Sequence, residues 1–312
     1  MDNLCHTLVG AAFGEAGLKQ RTRYGSVALM IAANLPDLDV LVFATDVPSV
    51  SFRRGWTHGV AAQVLLPVLL TAACWMAARR SGRTPPQPLR VGWLLVLSYL
   101  GVYSHIFLDF LNTYGVRWLT PMDWRWFYGD AVFIVDPWLW LSLGSGVWLA
   151  RRRAVAGPAR AALACAAVYI LAMLVTAQVA RAAVIDAWRD AHGTAPRALM
   201  VGPVPVSPLS RAIIVDAGDH YETGTFRFWP HEIRFDRSPV PKNDAAPAVA
   251  LARDAAPNIR GFLVWSRFPF WTHEPDARGT RVSVWDMRFA AGGARFSQST
   301  VVGEPYRGSR LP

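Results

Sequence analysis

Histidine and aspartate residues recur at short spacings in the apolar first half of this 312-residue chain. His105 and Asp109 are four residues apart, which places both side chains on one face of a helix. Asp2 and His6 have the same spacing in the reverse order. Because neutral imidazole and carboxylate oxygens suit zinc or manganese, these pairs indicate a divalent metal site.

More carboxylate and imidazole groups lie beside prolines or at the ends of apolar runs. Asp37 and Asp39 follow Pro36, which should break a helix and let both carboxylates turn one way. His58 comes just before a long uncharged run, and Asp136 opens another apolar segment. An ionisable side chain in an apolar segment is costly, so each of these residues is a candidate member of a functional site.

The chemistry of such a site is that of metal-assisted hydrolysis. A bound divalent ion makes a water molecule nucleophilic near neutral pH and neutralises charge on a phosphoryl oxygen. The zinc-peptidase motif H-E-x-x-H, the P-loop motif and the G-x-S-x-G motif do not occur in the sequence. The residue types therefore favour attack on a phosphoester by activated water.

Each candidate also has a purely structural explanation. Arg54 could hold a substrate anion or serve only as a topology charge, and the remaining histidines resemble surface residues. The other structural alternatives are an interfacial position for His6, a helix-breaking turn for Asp37 and Asp39, hydrogen-bonded pairs for His58 and for His105 with Asp109, and a helix cap for Asp136.

The elements that must position these residues are membrane helices. Residues 1–180 hold 24 charged residues, whereas residues 181–312 hold 30, so the longer first part is poor in charge. About 20 apolar residues cross a bilayer, and a shorter apolar stretch, Leu4 to Leu18, predicts a helix packed within the bundle. Five segments are candidate spans: Tyr24 to Ala44, Gly59 to Ala78, Val91 to Leu108, Ala131 to Ala150 and Ala161 to Ala180.

Arginines predict the orientation of these spans. Basic residues cluster before the first span, around Arg83 between the second and third, and around Arg153 between the fourth and fifth. The positive-inside rule makes these three loops cytoplasmic, so the candidate site residues of the spans fall near the outer surface. Asp2 and His6 join them if the N-terminus also starts outside. The net charge of +10 therefore reflects membrane topology, and we predict no nucleic-acid partner.

The region after the last span is predicted to be β-rich and to lie outside the membrane. Its candidate strands are Arg211 to Val215, Tyr221 to Trp229, Gly261 to Phe268, Arg281 to Phe289 and Arg295 to Val302, separated by turns such as Ala217-Gly218-Asp219, Pro275-Asp276 and Gly292-Gly293. Pro239 to Pro257 has the composition of a mobile loop. We therefore predict a mainly α protein: a polytopic helical membrane bundle, residues 1–183, followed by a mostly β extramembrane domain, residues 184–312.

Taken together, the motifs resemble a known family. They are Asp2-x-x-x-His6-Thr7, Asn34-x-Pro36-Asp37-x-Asp39, Arg54-Gly-x-Thr57-His58, His105-x-x-x-Asp109, and a continuation through Asn112-x-Tyr114-Gly115, Asp130 and Asp136-Pro137. This ordered set resembles the inner-membrane metal-dependent hydrolases of the YdjM-like, or LexA-binding, group over about residues 1–180. That group is itself similar to zinc-dependent phospholipase C and the fungal zinc nucleases.

The resemblance implies a ligand set and a location. The implied metal ligands are His6, Asp37, His58, His105 and Asp109, with Asp39 a further possibility. The relatives use a later His and Glu for another metal, and no matching pair follows Asp109, which favours one or two metals. The implied location is the bacterial inner membrane. The arginine distribution predicts that the site and the C-terminal domain lie on its periplasmic side.

We predict a membrane hydrolase that uses zinc, or alternatively manganese, and acts on a phosphoester or a lipid headgroup. Asp37 and Asp39 are the predicted catalytic residues, as ligand and proton acceptor, while Asp2, Arg54 and Asp136 are predicted to surround the metal or contact the substrate. Membrane lipids are the expected partners. The alternative is a non-enzymatic structural or regulatory membrane protein with a structural metal. A transporter fits less well, because transport sites usually lie near the midplane of the bilayer.

Overall fold

The computed structural model describes residues 1–45, 47–80, 87–290 and 296–303. Arg83, Gly292, Gly293 and Arg295, on which predictions were based, lie outside these ranges. The N-terminal helices are α1 (Asn3–Glu15), α2 (Gly25–Ala32), α3 (Ser49–Phe52), α4 (Val60–Arg80), α5 (Val91–Phe110), α6 (Pro137–Arg153) and α7 (Gly157–His192), with short 3-10 helices at Leu18–Gln20 and Leu35–Ala44.

Within the described residues, three helices are long and apolar enough to cross a membrane: α4, α5 and α7. A fourth span is possible if α2 and the 3-10 helix Leu35–Ala44 form one segment, which is bent by 48°. The predicted span Ala131 to Ala150 differs from the structure, because α6 begins only at Pro137. Its 17 residues extend about 25 Å, which is less than a hydrocarbon core of about 30 Å.

Close helix contacts bring the N-terminal elements together. As predicted, α1 is a short helix within the bundle, and its buried residues pack against those of α6 and α7. A Cβ atom at Gly10 would lie 2.8 Å from the carbonyl oxygen of Leu29, and one at Gly101 would lie 3.0 Å from the same oxygen. Because these two glycines have no Cβ atom, α1 and α5 can both lie close against α2. His6 and His105, each one turn along its helix from the glycine, consequently stack with ring centroids 3.9 Å apart.

The described part of the C-terminal region contains two antiparallel sheets and three helices. The first sheet has the order β1 (Ala198–Pro203), β2 (Ser210–Asp216), β3 (His220–Arg227), β4 (Glu232–Phe235), with β5 (Val240–Pro241) also paired to β3. The second has the order β6 (Pro269–Asp276), β7 (Gly279–Asp286), β8 (Ser297–Val302), and the helices are α8 (Pro247–Ala255), α9 (Pro257–Trp265) and α10 (Met287–Ala290).

Two predictions for this region are wrong. Gly261 to Phe268 was expected to be a strand but belongs largely to α9, and Pro239 to Pro257 was expected to be a loop but contains β5 and α8. Ile259, Phe262 and Trp265 are all buried, and their spacing of three residues is that of a helix. The strand prediction relied on the aromatic residue types and did not consider this spacing. Both helices have proline in their first turn, where a missing N–H costs nothing.

The other strand predictions overlap β2, β3, β7 and β8, and the turn at residues 217–219 joins β2 to β3 as expected. Strands β1, β4 and β6 were not predicted. β1 and β6 contain proline and do not alternate, whereas β4 alternates but is only four residues long.

The two regions are joined by a continuous helix and by a buried arginine. Helix α7 runs across residues 183 and 184, where we predicted the domain boundary, and ends at His192. From β2, the fully buried Arg211 donates hydrogen bonds to the carbonyl oxygens of Met173 and Ala131, at 2.9 and 3.2 Å. The C-terminal domain therefore packs firmly against one end of the helical bundle.

Candidate metal centre

One buried group of potential metal ligands lies within the described part of the chain: Asp37, His58, His105 and Asp109. One ligand atom from each of the four lies within 4.8 Å of all the others. His105 and Asp109 come from the last turns of α5, His58 stands two residues before α4, and Asp37 lies in the 3-10 helix after α2. Three separate segments therefore converge on one point.

The spacing of the ligand atoms suits a single ion. His58 Nε2 lies 3.1 Å from His105 Nε2 and 3.3 Å from Asp109 Oδ2. His105 Nε2 lies 3.5 Å from Asp109 Oδ2 and 3.9 Å from Asp37 Oδ1. Zinc bonds of about 2.0–2.1 Å would place tetrahedral ligand atoms about 3.3 Å apart.

The hydrogen bonds behind both imidazoles fix their tautomers. His105 Nδ1 lies 2.8 Å from the carbonyl oxygen of Ala33, so this nitrogen carries a hydrogen and donates. His58 Nδ1 lies 3.0 Å from Thr57 Oγ1, whose own hydrogen goes to Asp39 Oδ2. In both rings the Nε2 lone pair is therefore free and directed into the group. A divalent cation bound between two such lone pairs would remove their mutual repulsion.

Unpartnered oxygens complete the case for a cation. Asp37 Oδ1 and Asp109 Oδ2 are buried and have no hydrogen-bond partner among the described residues. Buried polar atoms without partners are rare in native proteins, and an ion is one of the standard explanations. The residues present therefore fit a divalent metal, which the resemblance to zinc enzymes also implies.

Asp39 lies behind His58, outside the ligand group. Its Oδ2 accepts hydrogen bonds from the backbone N–H of Arg54, at 2.7 Å, and from Thr57. Its Oδ1 accepts from Arg53 Nε at 3.2 Å. Since both oxygens are engaged, this carboxylate orients His58 as an outer partner, and the catalytic role predicted for Asp39 has little support here.

Arg54 is buried beside the ligands and has a left-handed backbone, with φ of 54°. Its Nε lies 3.0 Å from Asp109 Oδ2, and its terminal nitrogen donates to Asn112 Oδ1 and to the carbonyl oxygen of Gly115. A non-glycine residue in this conformation is strained and needs strong local contacts to hold it. The predicted position of Arg54 next to the site agrees with these contacts.

His6 lies beside the ligand group but is not a member of it. Its Nε2 is 3.3 Å from Asp109 Oδ1, the oxygen that faces away from the other ligands, and the α-amino group of Met1 contacts the same atom. Neither ring nitrogen of His6 has a hydrogen-bond partner in the described chain. The structure thus places this predicted ligand next to the site, stacked on His105.

Two predicted site residues cap helices. Asp2 accepts hydrogen bonds from the backbone of Leu4 and Cys5 at the start of α1. Asp136 does the same for Trp138 and Leu139 at the start of α6, as the alternative for this residue allowed. Neither carboxylate is part of the ligand group.

Thr57, Asn112 and Tyr114 contact the site but were not predicted to. Thr57 links His58 to Asp39, whereas Asn112 and Tyr114 contact Arg54. All three occur in the motifs that carry the family resemblance, so those motifs were the available signal. Hydroxyl and amide side chains have too many structural uses to be singled out by type alone.

The site reaches the surface beside an apolar rim. Asp37 is the most exposed of the four ligands, at 8%, and Arg53 lies next to it, 3.7 Å from Asp37 Oδ1. The guanidinium of Arg53 lies over the ring of Phe43, 5.6 Å from its centroid. The exposed apolar side chains of the 3-10 helix are Leu38, Val40, Leu41 and Phe43.

Comparison with known proteins shows to which family the chain belongs. The model of the YdjM inner membrane protein family matches residues 1–184, which is more than half of the chain and includes every ligand. The chain belongs to the YdjM inner membrane protein family. It is a membrane protein by this membership, and its long apolar helices agree.

A more distant similarity links the chain to a Bacillus protein. It is 25% identical over 152 residues to the uncharacterized protein YfhP of Bacillus subtilis (strain 168), covering 46% of this chain. The match spans 44% of that relative, which is less than half of its length. No solved structure matches the chain.

Proposed function

We propose that this YdjM family member is a metal-dependent membrane hydrolase that acts on a phosphoester or a lipid headgroup. The observation that carries the proposal is the pair of facing Nε2 atoms of His58 and His105, next to buried oxygens of Asp37 and Asp109 that form ion pairs but accept no hydrogen bond from the described residues. These four residues would hold the ion. When bound, a divalent metal supplies Lewis acidity and a water nucleophile at neutral pH.

Charge balance favours an anionic substrate. Three carboxylates (Asp37, Asp39, Asp109) meet two guanidinium groups (Arg53, Arg54) and the α-amino group of Met1 in and around the site. A divalent cation would therefore add an excess of positive charge to a balanced site. A phosphodiester or phosphomonoester would then be attracted to the mouth beside Arg53.

Among the carboxylates, Asp37 is best placed to accept a proton. With Oδ1 holding the ion, its second carboxylate oxygen is left to accept a proton, and the residue borders the surface. Both oxygens of Asp39 are occupied by donors, and Asp109 is fully buried. We therefore assign the proton-accepting role to Asp37 and the orientation of His58 to Asp39.

The apolar rim supports a lipid as the source of the phosphoester. Leu41 is 67% and Phe43 is 61% exposed on the 3-10 helix that also carries Asp37. In a membrane protein such side chains face acyl chains, while Arg53 would meet a headgroup at the interface. The site would then be open to a substrate that resides in the membrane.

The experiment combines metal content and hydrolysis. Detergent-purified protein should contain about one equivalent of zinc, as four ligands suggest, by elemental mass spectrometry. It should also hydrolyse bis(p-nitrophenyl) phosphate or dioleoylphosphatidylglycerol in mixed micelles. Metal-free, fully folded protein without either activity would refute the proposal.

The alternative is a structural metal in a non-enzymatic regulatory protein, as a LexA-binding role would require. One observation favours it: His58, His105 and Asp109 are completely buried, as in closed structural sites. The variant His105→Ala separates the two. Loss of hydrolysis in a variant that still folds, with a melting temperature no lower than that of the metal-free wild type, supports the enzyme. Complete loss of folding supports a structural metal.

A further inference from the structure

The C-terminal domain packs on the segments that carry the metal centre. Helix α9 lies against α3, which directly precedes Arg53 and Arg54, and a Cβ atom at Gly261 would lie 2.8 Å from Pro48 Cγ. The indole N–H of Trp126 donates to the carbonyl oxygen of Val264 at 2.8 Å. Helix α9 therefore contacts α3, which precedes the site residues Arg53 and Arg54 in sequence, and Trp126, which follows Asp109.

Trp265, the last residue of α9, is fully buried against Tyr114. Its Nε1–H donates to the carbonyl oxygen of Tyr114 at 3.1 Å, and the two ring centroids are 4.8 Å apart. Arg288 from α10 adds a second link, donating to the carbonyl oxygen of Thr113 at 2.8 Å. The loop that follows Asp109 is thus fixed by side chains from the C-terminal domain.

Tyr114 in turn holds Arg54. The guanidinium of Arg54 lies 4.5 Å from the centroid of the Tyr114 ring, which is a cation–π distance. The backbone N–H of Tyr114 also donates to Asn112 Oδ1 at 2.8 Å, and this oxygen accepts from Arg54 as well. Because Arg54 Nε lies 3.0 Å from Asp109 Oδ2, these contacts extend to a ligand atom.

We propose that the C-terminal domain is a wall of the metal centre and that Trp265 is a positioning residue, acting on Asp109 through Tyr114 and Arg54. The family match ends at residue 184, so this wall lies beyond the part shared with the family model. The proposal rests on the metal centre of the proposed function but not on hydrolysis, so it is tested by metal binding.

The expected effect follows from the role of outer partners. Residues that orient metal ligands typically change metal affinity about 10–100-fold when they are altered. Trp265→Phe keeps an aromatic ring in the core but removes the hydrogen bond to the Tyr114 carbonyl oxygen. We expect the affinity for zinc to fall about tenfold, at the lower end of that range.

The experiment uses full-length protein in detergent, stripped with a chelator and titrated with zinc against a competing chromogenic chelator. Trp285→Phe is the matched control, since Trp285 donates its N–H to Thr272 Oγ1 at 2.9 Å within the second sheet. Melting curves of the metal-free proteins show whether each variant is folded. Weakened zinc binding in Trp265→Phe but not in Trp285→Phe supports the proposal.

A double-mutant cycle tests the route through Tyr114. Tyr114→Leu should weaken zinc binding, and Trp265→Phe should add little when Tyr114 is already replaced. Losses that simply add would overturn a role through Tyr114. Gly261→Ala perturbs the same wall from the Pro48 side and should also lower affinity, so a poorly folding Trp265 variant does not end the test.

The zinc titrations distinguish a failure of the proposed metal centre from a failure of the proposed role of the C-terminal domain. Wild-type protein that binds no zinc overturns the metal centre and with it the proposed function. Wild-type protein that binds zinc, with unchanged affinity in Trp265→Phe and Gly261→Ala, overturns only the role of the C-terminal domain.

Discussion

The Nε2 atoms of His58 and His105 face one another across 3.1 Å. The Nδ1 atom of each ring faces an oxygen, Thr57 Oγ1 for His58 and the carbonyl oxygen of Ala33 for His105. The pair joins the residue just before α4 to the last turns of α5. Such a contact is unfavourable without a cation, so it links the stability of the helix packing to metal binding.

The first prediction concerns His105. His105→Ala should remove most of the bound metal, because it deletes one of the four donors that would surround the ion. Ser104→Ala is the neighbouring control, since Ser104 Oγ only donates to the carbonyl oxygen of Gly101. Elemental analysis and melting curves compare the two. Equal metal content in both variants contradicts the assignment of the ligands.

The second prediction concerns the carboxylate behind His58. Asp39→Asn should lower zinc affinity by about tenfold, because it weakens the contacts that fix Thr57 and the His58 tautomer. Asp123→Asn is a control, since Asp123 pairs only with its exposed neighbour Arg125. Chelator competition measures both. An unchanged affinity in Asp39→Asn would show that the orientation of His58 does not depend on this carboxylate.

The third prediction concerns the mouth of the site. Arg53→Gln should raise the KM for an anionic phospholipid several-fold with a smaller effect on kcat, because Arg53 lies beside Asp37 outside the ligand group. The effect should diminish in high salt. Kinetics on dioleoylphosphatidylglycerol micelles supply the measurement. A fall in kcat alone would instead place Arg53 in the chemical step.

The fourth prediction concerns membrane orientation. Reporter fusions after Arg153 should be cytoplasmic, and fusions after Pro205 should be periplasmic, because the arginines at the end of α6 follow the positive-inside rule. Alkaline phosphatase and green fluorescent protein give opposite signals on the two sides. A cytoplasmic signal after Pro205 would place the metal centre, which shares that end of the bundle, on the inner side.

The fifth prediction concerns the buried ion pair of the C-terminal domain. Burial would raise the pKa of Asp286, but Arg288 and the hydrogen bonds around it lower this pKa below its usual value. The pair therefore stabilises the fold at pH values above the ordinary aspartate pKa. This stabilisation is lost as the pH falls through the lowered pKa of the folded state. Asp286→Asn should cost about 3–5 kcal/mol at neutral pH, because it leaves Arg288 buried without its partner.

Denaturation of the purified variant measures this cost. Asp276→Asn serves as the control, since Asp276 forms its ion pair with Arg281 on the surface and should change little. Equal stability of the two variants would contradict the importance of the buried pair.

The helices could be predicted from local apolar patterns, and the group of Asp37, His58, His105 and Asp109 from the ordered family motifs, although His6, a predicted ligand, lies beside that group. The spacing of His105 and Asp109 fixes their shared helix face, and long apolar runs fix α4, α5 and α7. The roles of Asp2 and Asp39 could not be predicted, because a carboxylate that caps a helix or orients a histidine looks like a ligand in sequence. In the C-terminal region, Phe262 and Trp265 have strand-like residue types, and only tertiary packing shows that they form a helix.

Helix α7 has one more consequence. Its 36 residues correspond to about 54 Å, well beyond the thickness of a bilayer, and its last turns, with Val184 and Trp188, pack in the core of the first sheet. A domain built around the end of a membrane helix cannot swing freely as it would on a flexible tether. A force applied to the domain by another molecule would therefore reach the loop that carries Tyr114 through the contact with Trp265.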